Sequence, residues 1–187
     1  MSLTAQDERL LKALAVAFVE RPRATLKELA EAAGVSKATL HRFCGTRDNL
    51  VEMLITHGET VIGQILSAGD LQQAEPLQVL RRLIAEHLMH RELLVFLMFQ
   101  YNPDTLDPNA EDARWQTYCD ALDKFFLRGQ QEGVFRIDIS AALFSELFLS
   151  LIFGIVDAER RGRAASSSSA SLLELFFLHG AAAPTRT

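Results

Sequence analysis

Hydrophobic residues recur at helical spacing along almost the whole chain. Leu10, Leu11, Leu14, Ala15 and Phe18 show the rhythm of one helix face, and no long stretch alternates between apolar and polar residues with a period of two. The pattern therefore predicts an all-α fold.

Turn and capping residues divide the first part of this pattern into three short helices. Arg21-Pro22 ends the first helix, because proline disfavours helical geometry in the residue before it. Thr25 and Glu28 have the spacing of a capping box, which starts a second helix, and Gly34 ends it as a C-terminal glycine does. Ser36 is placed to cap a third helix.

The rest of the chain predicts five further helices. They are expected near residues 47–67, 76–100, 109–132, 139–163 and 171–180. Breaks are expected at Gly69-Asp70, at residues 102–108 and at Gly133, and the Ser166 to Ser169 run is interpreted as a loop.

Composition places the chain among ordinary folded proteins. Of its 187 residues, 49% are hydrophobic and 23% are charged, which is far from the signature of disorder. The net charge of −5 is unevenly spread, because residues 1–50 hold eight Lys/Arg against six Asp/Glu and residues 51–187 hold eleven against eighteen. A slightly basic head on an acidic body is the direction expected of a DNA-binding protein.

Compartment and membrane follow from three simple features. The two cysteines, Cys44 and Cys119, form no CxxC pair, which favours a reducing cytoplasm. The apolar run at residues 10–19 follows acidic residues and contains Lys12, so it is not interpreted as a signal peptide. Residues 141–156 contain Ser145 and other polar residues and are shorter than the ~20 residues of a membrane span, so no membrane association is expected.

Residues 25–43, TLKELAEAAGVSKATLHRF, follow the pattern of a helix-turn-helix. Two capped helices flank a tight Ala-Gly-Val turn. The spacing assigns six residues to the packing between helices: Leu26, Leu29, Ala30, Ala33, Val35 and Leu40. The other face of the third helix carries Lys37, Thr39, His41 and Arg42, which are able to contact base edges or phosphates.

This segment strongly resembles the TetR family of bacterial transcription regulators over residues 25–50. The matching residues are Thr25, Leu29, Ala30, Ala33, Gly34, Val35, Ser36, Ala38, Thr39, Leu40, Arg47 and Leu50. His41 stands where the family usually has Tyr, and Phe43-Cys44 replaces His/Tyr-Phe. Either Phe43 turns inward to replace the missing aromatic residue, or this part of the core is packed less well.

The resemblance implies a domain organisation and a set of DNA contacts. Residues 1–46 would form the helix-turn-helix DNA-binding domain, and residues 47–187 would form a helical effector-binding and dimerisation domain. Phosphate contacts are implied for Thr25, Ser36, His41 and Arg47, and base contacts for Lys37, Ala38 and Thr39, with Arg42 in either role and Phe43 beside them. The alternative is helix capping alone for Thr25 and Ser36, and an ordinary solvated face for the cations.

The resemblance also implies a homodimer and a small-molecule site. We expect the last two long helices to form the dimer interface through Leu143, Leu147, Leu151, Gly154, Leu172, Leu175 and Phe176. A largely apolar effector pocket is predicted at His87, Phe96, Phe99, Gln100, Trp115, Tyr118, Phe144 and Phe148. For both sets, the alternative is the core of a single chain.

The expected function is a repressor that binds a palindromic operator in double-stranded DNA and is released by a small effector. No cofactor and no metal are expected, since His87 and His90 alone make a weak metal site, and the sequence contains no catalytic motif such as HExxH or a nucleophile elbow. We therefore do not expect an enzyme. The alternative function is a helical ligand-binding or interaction module with a degenerate helix-turn-helix.

Overall fold

The computed structural model describes residues 4–68, 70–100 and 113–181, and their side chains except those of residues 113–115 and 181. Every regular element in these ranges is a helix, which confirms the all-α prediction. The helices are α1 (Ala5–Glu20), α2 (Leu26–Ala32), α3 (Lys37–Cys44), α4 (Arg47–Ala68), α5 (Pro76–Met89), α6 (Arg91–Gln100), α7 (Ala113–Gln131), α8 (Ala141–Arg160) and α9 (Ser166–Ala181).

The helices belong to two compact units, and α4 contributes to both. The first unit comprises the described residues up to Val61 and those from His90 to Gln100, and the second comprises the remainder. This division by packing does not test the predicted boundary between a DNA-binding domain and an effector-binding domain at residues 46 and 47, which stays a prediction.

The first unit is built on α1, which packs against α2 and α6. Leu11, Leu14 and Phe18 are buried along one face of α1. The Phe18 ring meets Phe96 of α6 edge-on, with ring centroids 5.4 Å apart. Each fully buried side chain of this size stabilises the fold by about 1.5–3 kcal/mol, so this face of α1 holds α2 and α6 in the first unit.

The second unit surrounds a cluster of phenylalanine rings. Phe126 of α7 lies at its centre, and its ring centroid is 5.5–5.9 Å from the rings of Phe135, Phe144, Phe148 and Phe177. Because α7, α8, α9 and the turn after α7 all supply rings, the cluster fixes how these helices pack together.

Two arginines hold the end of α4 within the second unit. Arg82 of α5 donates to the carbonyl oxygen of Ala68 at 2.7 Å. Arg128 of α7 donates to the carbonyl oxygens of Leu71 at 3.1 Å and Ala74 at 2.7 Å. The first bond satisfies a carbonyl that the end of α4 leaves without a partner in the helix, and the other two fix the turn that follows α4.

Two predicted boundaries are wrong, for different reasons. The single helix expected over 76–100 is interrupted at His90, because α5 packs in one unit and α6 in the other, while the periodicity continues unbroken through the change. The serine run is not a loop but the first turn of α9. Ser168 and Ser169 hydrogen-bond back to the Ala165 carbonyl, and serine is compatible with a helix when its hydroxyl has such a partner.

Among the described helices, α8 is long and apolar enough to cross a membrane by length and composition alone. It also behaves as a core helix, because it packs against α7 and α9 and buries Phe144, Phe148 and Ile152. Ser145, also buried, donates to Asp123 of α7 at 2.5 Å. This packing explains the apolar residues on the buried face of α8, whereas Leu143 and Leu147 remain exposed.

We expect Gly129→Ala to lower the free energy of unfolding by about 1–3 kcal/mol, because overpacked cores are strained to that extent. A Cβ atom at residue 129 would lie 2.3 Å from the Phe135 ring. The matched control is Gly63→Ala on the exposed side of α4, where a Cβ atom meets nothing within 4 Å. Urea denaturation of both variants checks this, and an unchanged or more stable Gly129→Ala would contradict it.

Candidate nucleic-acid interface

The second helix begins with the predicted capping box. The Thr25 hydroxyl accepts from the Glu28 backbone N–H at 3.3 Å, and the Glu28 carboxylate accepts from the Thr25 backbone N–H at 2.7 Å and from its hydroxyl at 2.8 Å. These bonds hold the pKa of Glu28 below its usual range, so this carboxylate is ionised at neutral pH. Thr25 is exposed, at the surface of the helix-turn-helix.

A glycine and a serine set the angle between α2 and α3. Gly34 has a φ of +70°, which side-chain-bearing residues rarely adopt, and Val35 donates its N–H to the Ala30 carbonyl at 2.9 Å. Ser36 then caps α3 by accepting from the Thr39 backbone N–H at 3.0 Å. The turn and the cap therefore define the direction of α3.

The third helix has one buried and one exposed face. Leu40 and Cys44 are buried, while Lys37, Ala38 and His41 are exposed. Arg42 and Ser36 are also exposed, whereas Thr39 and Phe43 are half-buried. The structure thus places the predicted contacts of α3 on one side of the helix or at its edge.

The Phe43-Cys44 departure has a structural solution. Cys44 occupies the core position, where its thiol donates to the Leu40 carbonyl at 3.3 Å and burial raises the pKa of the thiol. Phe43 is half-buried and lines a groove of about 540 Å³ together with Leu10 of α1 and Val35. The phenylalanine therefore lies at this groove rather than filling the cysteine's position.

Arg47 is held by the protein itself. Its guanidinium donates to the carbonyl oxygens of Pro22 at 2.5 Å and Ala24 at 3.3 Å. Its central carbon also lies 4.4 Å from the centroid of the Phe18 ring. These contacts tie the start of α4 to the loop between α1 and α2, which makes Arg47 a positioning residue for the helix-turn-helix.

Four of the predicted effector residues come together in the second unit. His87 is buried and its Nδ1 donates to the Leu83 carbonyl at 2.6 Å, so the other ring nitrogen accepts from the Tyr118 hydroxyl. The Phe148 ring meets His87 edge-on at 5.5 Å, and Phe144 belongs to the same aromatic cluster. Burial raises the pKa of the Tyr118 phenol, which therefore keeps its proton at neutral pH.

The other predicted effector residues lie elsewhere. Phe96 is buried in the first unit against Phe18, and Phe99 and Gln100 follow it on α6. The Trp115 side chain lies outside the described residues. The prediction of one pocket formed by all eight residues therefore stays a prediction.

The predicted dimer residues include an exposed apolar stripe. On α8, Leu143 and Leu147 are 48% and 44% exposed, and on α9, Leu175 and Phe176 are 52% and 68% exposed. Gly154 is exposed, and Leu151 and Leu172 are half-buried. Soluble monomers rarely expose contiguous apolar surface of this kind, so the stripe is a candidate contact surface.

Sequence reasoning missed two features of these surfaces. Ile137, in the turn before α8, is an apolar residue that is 83% exposed, and this exposure became visible only with the fold. Arg9 lines the same groove as Phe43. Its spacing from Gln6 and Ala13 would have placed it on one face of α1, but not opposite α3.

Within the described residues, no group of three or more His, Cys, Asp or Glu could hold a metal ion.

Capped helices, a tight turn and an exposed polar face on α3 define the class as helix-turn-helix DNA-binding proteins. The chain is 73% identical to the HTH-type transcriptional regulator NfxB of Pseudomonas aeruginosa over 187 residues, which is 100% of both chains. The family model for the IclR helix-turn-helix domain matches residues 9–46, which hold most of α1 and all of α2 and α3.

Solved structures share the fold over nearly the whole chain. The TetR family regulator PfmR from Thermus thermophilus has a TM-score of 0.64 and 23% identity, covering 100% of both chains. The TetR-like regulator LfrR from Mycobacterium smegmatis, in complex with proflavine, has a TM-score of 0.68 and 20% identity, covering 92% of this chain and 94% of that one.

The chain therefore belongs to the helix-turn-helix transcriptional regulators of which the 73% identical protein is one, and it has the TetR fold. This confirms the resemblance noted in residues 25–50. Regulators of this class act by binding rather than by catalysis.

Removing the Arg47 contacts should weaken the first unit. We expect Arg47→Ala to lower the free energy of unfolding by about 2 kcal/mol, because hydrogen bonds from charged groups contribute about 1.5–3 kcal/mol. Arg47→Lys should recover little, since an ammonium lacks the planar fork that reaches both carbonyls.

The control is Arg42→Ala, which removes an exposed arginine from α3 in the same unit and should change stability by less than about 0.5 kcal/mol. Thermal and urea melts of the three variants distinguish these expectations. Equal stability of Arg47→Ala and Arg42→Ala would exclude the positioning role.

Proposed function

We propose that the protein is a repressor that binds a palindromic operator as a homodimer and that a small, largely apolar effector releases it. The observation that carries this proposal is the exposed face of α3. It bears Lys37, Ala38, His41 and Arg42, while Leu40 and Cys44 fix the helix from behind. A recognition helix in the major groove needs this division.

The proposed contacts divide into phosphate and base contacts. Thr25, Ser36 and His41 lie at the exposed surface. The Ser36 hydroxyl and the His41 ring are able to donate to phosphates, and Thr25 would do so by exchanging its hydroxyl hydrogen bond to Glu28 for one to a phosphate. Lys37 is able to donate to guanine O6 or N7, and the methyl groups of Ala38 and Thr39 suit a thymine methyl. Arg47 holds the start of α4 in place through its Nε and Nη2 atoms, and the phosphate contact that the family resemblance implies for Arg47 stays a proposal.

A homodimer is the proposed binding form. The exposed stripe of Leu143, Leu147, Leu175 and Phe176 supports a two-fold interface in which α8 and α9 pack against their counterparts. Gly154 supports a close approach of two helices, since it is exposed on α8 and carries no side chain. Two recognition helices related by two-fold symmetry match a palindromic site.

The effector is proposed to bind in the second unit beside His87 and Tyr118. Their hydrogen bond supplies a polar pair inside an otherwise aromatic cluster, which suits an apolar ligand with one polar group. The complex of LfrR with proflavine supports a ligand site in a protein of this fold.

Such a ligand lowers DNA affinity only by as much as it prefers the conformation that does not bind DNA. The helix α4 contributes residues to both units. We propose that this helix transmits the effect of ligand binding to the DNA-binding helices. The free thiols of Cys44 and Cys119 suit the bacterial cytoplasm, where we place the protein.

Selection of duplexes from a random DNA pool tests the DNA-binding proposal. We expect the wild-type chain to enrich a palindrome and Lys37→Ala/Arg42→Ala to lose that enrichment, since each good base contact contributes about 1–3 kcal/mol of discrimination. The charge-matched control, Lys124→Ala/Arg163→Ala, removes two exposed cations from the second unit and should select the same palindrome.

No enrichment at low salt by a folded wild-type protein would instead favour a helical ligand-binding or interaction module with a degenerate helix-turn-helix. Equal enrichment by both double variants would exclude α3 as the element that reads the sequence.

The dimer proposal has its own test. We expect Leu147→Glu/Phe176→Glu to weaken self-association by at least about 100-fold, because two carboxylates would be buried without partners. Met89→Glu is the control, since Met89 is 61% exposed on α5, which is not one of the two helices of the proposed interface. Sedimentation equilibrium measures both. A wild-type monomer at all concentrations, or an unaffected double variant, would contradict the proposed interface.

A further inference from the structure

One groove in the first unit has a composition that the proposed contacts of α3 do not explain. It has a volume of about 540 Å³ and lies between α1 and the edge of α3. Its α1 wall includes Gln6, Arg9 and Leu10, and its α3 wall is formed by Thr39, Arg42 and Phe43. The groove therefore joins the half of α1 near its N-terminus to residues beside the exposed face of α3.

Two cations face this groove. Arg9 and Arg42 are both exposed, and none of the ion pairs found in residues 4–68, 70–100 and 116–180 involves either of them. Asp7 is the acidic residue of the lining, and one of its oxygens already accepts from the Thr4 N–H at 2.9 Å and from the Thr4 hydroxyl at 2.7 Å. Two arginines and one carboxylate leave the groove with a positive charge.

We propose that this groove binds a backbone phosphate of the DNA duplex next to the bases that α3 contacts, with Arg9 of α1 as an additional phosphate-binding residue beside Arg42. The inference rests on the proposed function and extends it to a helix outside the helix-turn-helix motif. Phe43 and Leu10 supply an apolar surface beside the cations, and low-dielectric surroundings strengthen the attraction between an arginine and a phosphate.

The position along α3 is what favours a phosphate over a base. The half-buried Thr39 and Phe43 form the edge of α3 that lines the groove, and Arg42 lies between this edge and the open face that carries Lys37, Ala38 and His41. When the open face enters the major groove, the edge of the helix faces the phosphates that border that groove. Phosphate contacts position a protein on DNA without reading sequence, so Arg9 should affect affinity and its salt dependence but not sequence preference.

The experiment measures binding of the full-length chain to its selected duplex by fluorescence anisotropy, as a function of salt concentration. We expect Arg9→Ala to reduce the slope of log affinity against log salt by about 1.8, because each protomer of the proposed dimer loses one phosphate contact, at about 0.9 per contact. Arg9→Lys keeps the charge and should retain most of the slope. Arg163→Ala, which removes an exposed arginine from the second unit, should behave as the wild type.

Three outcomes have separate meanings. A wild-type slope for Arg9→Ala, with the wild type still selecting a palindrome, overturns the phosphate site and leaves the proposed function intact. A change in the selected sequence with Arg9→Ala overturns the phosphate assignment in favour of base contact. If the wild type selects no palindrome, the proposed function fails first and this inference fails with it. Unchanged melting temperatures should accompany all three variants, because Arg9 and Arg163 are exposed.

Discussion

The Phe18 ring lies edge-on to Phe96 of α6 and beneath the guanidinium of Arg47 at the start of α4. A single side chain of α1 thus contacts two other helices of the first unit. Arg47 in turn donates to carbonyls of the loop that leads into α2. The direction of the helix-turn-helix depends on this arrangement, because α2 and α3 are too short to be stable as isolated helices.

Capping and turn residues fix α3 in addition to the contacts of Phe18 and Arg47. The Thr25 and Glu28 box starts α2, Gly34 permits the turn, and Ser36 starts α3, so the orientation of α3 is specified at each end of the turn. Burial of Leu40 then fixes the rotation of the helix about its axis. A DNA-reading helix needs both properties, since a rotation would exchange its exposed side chains for its buried ones.

Two neighbouring faces of α8 have different surroundings. Phe144 and Phe148 are buried in the aromatic cluster, while Leu143 and Leu147, each one position before them, remain exposed. A helix that is apolar nearly all round satisfies the hydrophobic effect only when both faces are covered. A second copy packed on the exposed stripe, as in the proposed dimer, would complete the burial of the most apolar segment of the chain.

The sequence by itself determined the helical class, the helix-turn-helix and its caps, because these depend on residues three or four positions apart. The capping box of Thr25 and Glu28 and the turn at Gly34 each form between residues that are close along the chain. Tertiary structure alone decided the break at His90, the role of Arg47 and the pairing of His87 with Tyr118. Those features depend on residues that are distant along the chain. The hydrophobic period predicts a helix but does not indicate which other helices pack against it.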